Sequence, residues 1–129
     1  MRSFIFFTAL IASPATAMPL TVRTGESVIF VIDHGQPARA RRVAPATKPK
    51  PGEVLVIVRA MLGTTMSITS NNQLAYTYRA ELIGGAKPVA TRSCTLPANA
   101  VLSFESWPQK AAAVRLSNFK PAASAGSCP

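Results

Sequence analysis

Groups that hold or move protons are scarce in this chain. It carries five acidic side chains (Glu26, Asp33, Glu53, Glu81 and Glu105) and a single histidine, His34. No GxSxG, HExxH or phosphate-loop motif occurs, which removes the common hydrolase, zinc-protease and nucleotide-binding signatures. A glycosidase-like carboxylate pair needs two acids facing each other at roughly 5 to 9 Å, whereas these five sit at strand ends or among polar neighbours. Asp33 and His34 are adjacent, and neighbours on an extended chain point to opposite faces, so they make a poor dyad. The expectation is a non-catalytic protein without a cofactor.

Cysteine is nearly as rare. Only Cys94 and Cys128 are present, with no CxxC, which argues against a thiol oxidoreductase. Soft metal ligands reduce to Met18, Met61, Met66 and His34. Methionines in apolar strands are ordinarily core filler, so no metal is expected. Long apolar runs are missing too. The clearest one, Phe4 to Ala12, follows a basic start at Arg2 and precedes Ala15-Thr16-Ala17, an A-x-A site. That layout reads as a secretory signal over residues 1–17, and the run is too short for the ~20 residues a spanning helix needs. The expected location is the periplasm or the exterior, with no transmembrane span in the processed chain.

What the chain has in plenty is positive charge and β-type alternation. Fourteen Lys and Arg give a formal net charge of +9, which falls to +8 when Arg2 leaves with the signal. Such a chain is drawn to anionic surfaces: lipid phosphates, acidic glycans, cell-wall carboxylates or acidic proteins, with nucleic acid the less natural partner for an exported protein.

From Leu74 to Ile83 apolar and polar residues alternate strictly, placing Leu74, Tyr76, Tyr78, Ala80 and Leu82 on one face as core. Thr64 to Thr69 alternates likewise, turning Met66 and Ile68 inward, and with Ser70 to Gln73 between them the two read as a hairpin. Glu53 to Arg59 is apolar on both faces, as a covered central strand is. Leu20–Arg23, Ser27–Ile32, Val89–Leu96, Val101–Trp107 and Ala113–Phe119 complete the set, with Trp107 closing one end. Seven or eight short strands between Gly, Pro and Asn turns, in a single domain over 18–129, predict an antiparallel β-sandwich. A small barrel is the competing architecture. An immunoglobulin-like topology is one arrangement this allows, although the antibody pattern of paired strand cysteines around a tryptophan is absent.

The segment from His34 to Gly52 is read as one long basic, Pro-rich loop. Loops this long tend to be functional. It holds Arg39, Arg41, Arg42, Lys48 and Lys50, and guanidinium suits bidentate contact with phosphate or carboxylate. These five are the candidate binding residues for an anionic envelope component or acidic partner protein. The competing reading makes the segment a solvated crossover whose prolines keep edges apart. Two other functions stay open: an assembly module that pairs an exposed strand with a partner, as chaperone and adhesin domains do, and a cryptic envelope hydrolase using His34 or an acid.

In an oxidising compartment Cys94 and Cys128 would pair, closing a loop of about 34 residues and pinning a loose tail at 120–129. Ellman titration of denatured, unreduced protein should find no free thiol, whereas two free thiols would refute the bridge. Cys128→Ser should cost roughly 2 to 4 kcal/mol, mostly through the unfolded state.

Overall fold

The computed structural model describes residues 17–122. The signal expected at the N-terminus, Cys128 and the end of the tail fall outside that range. Nine strands form: β1 (Leu20–Arg23), β2 (Ser27–Asp33), β3 (Gln36–Arg42), β4 (Glu53–Arg59), β5 (Thr64–Ser70), β6 (Ala75–Ile83), β7 (Val89–Thr91), β8 (Leu102–Trp107) and β9 (Ala113–Ala122). They make two antiparallel sheets, a four-stranded one in the order β1-β9-β6-β7 and a five-stranded one in the order β3-β2-β4-β5-β8. The protein is therefore a β-sandwich. Four consecutive strands, β2 to β5, share one sheet. Immunoglobulin constant domains instead divide their strands as ABED and CFG, so the likeness is one of architecture and not of strand order.

The core lies between the sheets. Val28 and Phe30 of β2, Val54, Val56 and Val58 of β4, and Met66 and Ile68 of β5 face Val22, Ala80, Leu82, Val114, Leu116 and Phe119 across it. Alternation fixes this choice of face, because one step along a strand reverses the side chain. Phe119 sits at the centre of an aromatic group. Its ring is 5.7 Å from Phe30 of the opposite sheet and stacks on Tyr78 at 5.3 Å, with Tyr76 edge-on at 6.4 Å. Such pairs add about 0.5 to 1.5 kcal/mol beyond area burial. The tyrosines are thus partly buried and packed against the core, as their face of β6 predicted, whereas Leu74 of the same predicted face precedes the strand and is exposed. Trp107 is buried and donates its indole N–H to the Arg92 carbonyl.

Three expectations need correction. The 34–52 segment is not one loop. Asp33 pairs with Gln36, and His34 and Gly35 between them have φ of 52° and 82°. Two successive positive-φ residues are the requirement of a tight hairpin turn whose twist matches its strands. The chain therefore folds straight back as β3, and Arg39, Arg41 and Arg42 lie on a strand. Pro37 is accommodated because β3 is an edge strand, where a missing N–H leaves no ladder bond unmade.

Nor do β5 and β6 form a hairpin. They belong to different sheets, and Ser70 to Leu74 carries the chain across the bottom of the sandwich. That crossing is held by Asn71, which donates its backbone N–H to the Glu53 carbonyl and its amide to the Pro49 carbonyl. Finally, β9 runs on to Ala122, with Pro121 opposite Tyr76, so the tail begins later than expected.

Gly63, in the turn between β4 and β5, has φ of 108°, and a Cβ there would collide with the Trp107 carbonyl and meet the Pro108 carbonyl oxygen at 2.7 Å. Neither backbone oxygen can swing aside. Gly63→Ala should therefore cost roughly 2 kcal/mol or more in urea unfolding, against about 1 kcal/mol for Gly25→Ala. Gly25 also has positive φ but open space around it. Equal losses at the two positions would show that the close approach contributes nothing.

Candidate functional site

The sequence-predicted cations are distributed along one flank of the sandwich, on β3 and on the connector Val43–Gly52 that leaves it. The connector is tacked at both ends: the Val43 N–H donates to the Ser27 carbonyl, and the Gly52 N–H to the Asn71 carbonyl. Between these points it crosses the outer face of the five-stranded sheet. Thr47, Lys48 and Pro49 there form one wall of a groove of about 480 Å³, floored by Leu55 and Thr69 and bounded by Leu102. This covering explains why Leu55, on the outer face of β4, is almost fully buried.

Two of the five cations are committed to structure. Arg41 Nη1 lies 3.2 Å from Glu53 Oε2, and Arg42 Nη2 lies 2.9 Å from Glu26 Oε2. Glu53 also accepts the Lys50 backbone N–H at 2.8 Å, so one carboxylate ties the edge strand to the end of the connector. Arg39, Lys48 and Lys50 are exposed and have no carboxylate partner among the described residues. Arg39 stands apart from the others. It has φ of 53° and occupies the β-bulge where the β2–β3 register slips between Ile29 and Val31. Bulges re-aim side chains and terminate pairing at an edge.

The remaining acids are engaged as well. Glu81 of β6 is directly opposite Arg115 of β9, accepts from its Nε at 2.9 Å, and lies 3.4 Å from Arg79 Nη2. The Arg115 hydrogen bond holds the Glu81 carboxyl below the usual carboxylate range. Glu105 sits mid-strand and buried, not at a strand end, and accepts the Cys94 backbone N–H at 2.8 Å. Burial first, and Glu105 second, push the Tyr78 phenol above its ordinary range.

His34 Nδ1 lies 2.6 Å from Asp33 Oδ1. The expectation that these neighbours cannot easily hydrogen-bond through their side chains is therefore corrected, because His34 is in the left-handed turn and not extended. The pair stands at a hairpin tip in solvent, with no walls to exclude water. Met66 is in the core while Met61 is exposed at a turn, so these two methionines do not converge. No cluster of three His, Cys, Asp or Glu occurs among the described residues. No described helix is long and apolar enough to cross a membrane.

Sequence reasoning missed the roles of Glu26 and Glu53, which organise the flank. The signal was available: Arg41 and Arg42 each lie within about 16 residues of an acid, once the hairpin at His34-Gly35 is recognised. Comparison with protein-family models, with curated proteins and with solved structures finds no match.

The Glu53 carboxyl is held below its ordinary value of 4.5, chiefly by the Lys50 backbone N–H, with Arg41 adding to it. A carboxyl that ionises more readily in the folded state contributes stability above its unfolded value. That contribution is lost as pH falls through the lower folded value. Thermal melts from pH 7 down to pH 3 should show Glu53→Gln less stable near neutrality, with a flatter acid limb. Parallel curves for the two proteins would show that the contact carries no net stabilisation.

Proposed function

We propose that this is an exported, non-catalytic β-sandwich that binds an anionic envelope component or an acidic protein through the flank formed by β3 and the connector. The observation that carries this reading is the use made of the acids. All five carboxylates are bound to an arginine, a histidine or a backbone amide. The positive excess is therefore not cancelled internally, and Arg39, Lys48 and Lys50 remain for an external anion. Arg41 and Arg42 position the strand and remain about half exposed or more, so they can share a second acceptor. Lys48 borders an apolar groove, which favours a ligand with both a charged and an apolar part. Surface ion pairs contribute little to stability, typically 0 to 1 kcal/mol, so retaining this many cations makes more sense as recognition than as structure.

A second reading rests on a different edge. β3 is protected by Pro37, a bulge and three arginines, while β1 and β7 have only four and three residues. The β8 edge has six residues, no proline and no cation, and turns Phe104, 62% exposed, to the surface beside Leu102. Unprotected edges invite strand addition. A partner strand on β8 would make the protein an assembly module.

Salt separates the two, because screening weakens charge contacts and leaves strand pairing intact. The triple variant Arg39→Gln, Lys48→Gln, Lys50→Gln should elute from an anionic matrix at distinctly lower salt than Arg79→Gln, Arg92→Gln, Lys120→Gln. The two have the same net charge. Identical elution would mean that total charge alone matters and the flank has no special role. Capture of a partner that resists high salt and is lost in Phe104→Lys would favour the second reading.

A further inference from the structure

The end of the sandwich where β4 turns into β5 carries a feature that the cationic flank does not explain. Leu62 is 98% exposed and Met61 56% exposed, side by side at the tip of that turn. Leu62 also has φ of 49°. Left-handed backbone is costly for a branched side chain, and such strain is retained where the surroundings impose it. Here the base of the turn is rigid. Thr65 donates its hydroxyl to the Met61 carbonyl, and Gly63 packs against the backbone of Trp107 and Pro108. Asn or Gly would fit the conformation better and Ser or Lys would suit the exposure better, yet the position holds leucine.

The surroundings of this tip supply the second observation. Thr64 donates its hydroxyl to the Gln109 carbonyl and accepts the Ala111 N–H, which docks the 108–112 turn beside the tip. The Ala112 N–H donates to the Ile83 carbonyl, and its carbonyl accepts the Thr24 N–H, so the β6–β7 and β1–β2 turns gather at the same end. Those turns and the strand ends leading into them carry Arg23, Arg59, Lys87 and Lys110, all exposed and none in an ion pair among the described residues. The only described acid in these turns, Glu26, is already taken by Arg42 and by the Arg23 backbone N–H.

We propose that this end docks on an anionic lipid surface, with Leu62 and Met61 entering the headgroup boundary and Arg23, Arg59, Lys87 and Lys110 contacting lipid phosphates around them. An apolar projection of two residues is too small to hold a protein on a neutral bilayer. Several cations within a Debye length of a negative surface add the remainder. The combination suits a phosphate-bearing interface better than a protein partner. A protein groove would need a broader apolar patch than two side chains at a tip.

The test uses the purified protein in co-sedimentation with vesicles of phosphatidylcholine alone and of an equal mixture with phosphatidylglycerol. Binding should occur to the mixture and not to phosphatidylcholine. Leu62→Asn leaves charge unchanged and relieves the backbone, so it should melt at the same or a higher temperature while losing roughly tenfold in vesicle affinity, as removal of one buried large apolar side chain implies. Arg59→Gln with Lys110→Gln should weaken binding comparably and reduce its salt dependence. No binding to the mixed vesicles, equal binding to neutral ones, or undiminished binding by Leu62→Asn would each overturn the proposal. The flank variant Arg39→Gln, Lys48→Gln, Lys50→Gln separates this idea from the reading above. If it alone loses the vesicles, the flank is the lipid site and the tip is not. If it binds vesicles normally, the tip acts independently, whatever becomes of the flank.

Discussion

The arrangement depends on how Phe119 is held. Its ring joins the two sheets through Phe30, Tyr76 and Tyr78, and its backbone N–H donates to the Gly35 carbonyl at 2.7 Å. Beside it the Asn118 N–H donates to Gln36 Oε1, and Gln36 Nε2 donates to Asn118 Oδ1. One residue of β9 thus fixes the sandwich spacing and clamps the β2–β3 turn onto the opposite sheet. A Cβ on Gly35 would lie 3.1 Å from the Phe119 carbonyl oxygen, so the glycine permits both the turn and the clamp. With the turn held, β3 must run back along β2, and its arginines are carried to the edge of the sheet.

Electrostatics then follow from position. A small chain with fourteen Lys and Arg could neutralise itself only by pairing, and with five acids it has too few to do so. Those acids are placed where a single carboxylate joins two elements: Glu53 between β3 and the connector, Glu26 between the β1–β2 turn and β3, Glu81 across β6 and β9. They organise the sheet edges and leave most of the unpaired cations in two places, with Arg92 and Lys120 outside both. One is the flank with its groove, suited to a mixed polar and apolar ligand. The other is the end that bears Leu62.

Much of the fold was legible in the residues. β1 and β4 begin and end where the sequence reading places them, and β2, β5, β8 and β9 differ by one to three residues. The core face of β6 follows from its tyrosines. The reading failed where a local rule was outweighed. Pro37 and the run of arginines suggested a loop, yet an edge strand tolerates both, and the short His34-Gly35 turn was the signal that outranked them. The β5–β6 connection looked like a hairpin because strand sequence alone does not reveal which sheet a strand joins. Val89–Leu96 proved strand only to Thr91, beyond which the chain turns inward and Leu96 makes a lone bridge with Tyr76. The candidate cations were legible as a cluster, but their division into paired and unpaired members was not. Pairing depends on contacts between elements far apart in sequence.

The unpaired cations of β3 and the connector are proposed to recognise an anion as a local site and not through net charge. Backbone amide chemical-shift mapping during titration with a polyglutamate peptide tests it most directly. Perturbations should concentrate at residues 38–50 and at Leu55, Thr69 and Leu102 around the groove, saturate together, and leave Arg92 and the end of β9 bearing Lys120 unmoved. Shifts spread evenly over every surface lysine and arginine, without saturation, would contradict it.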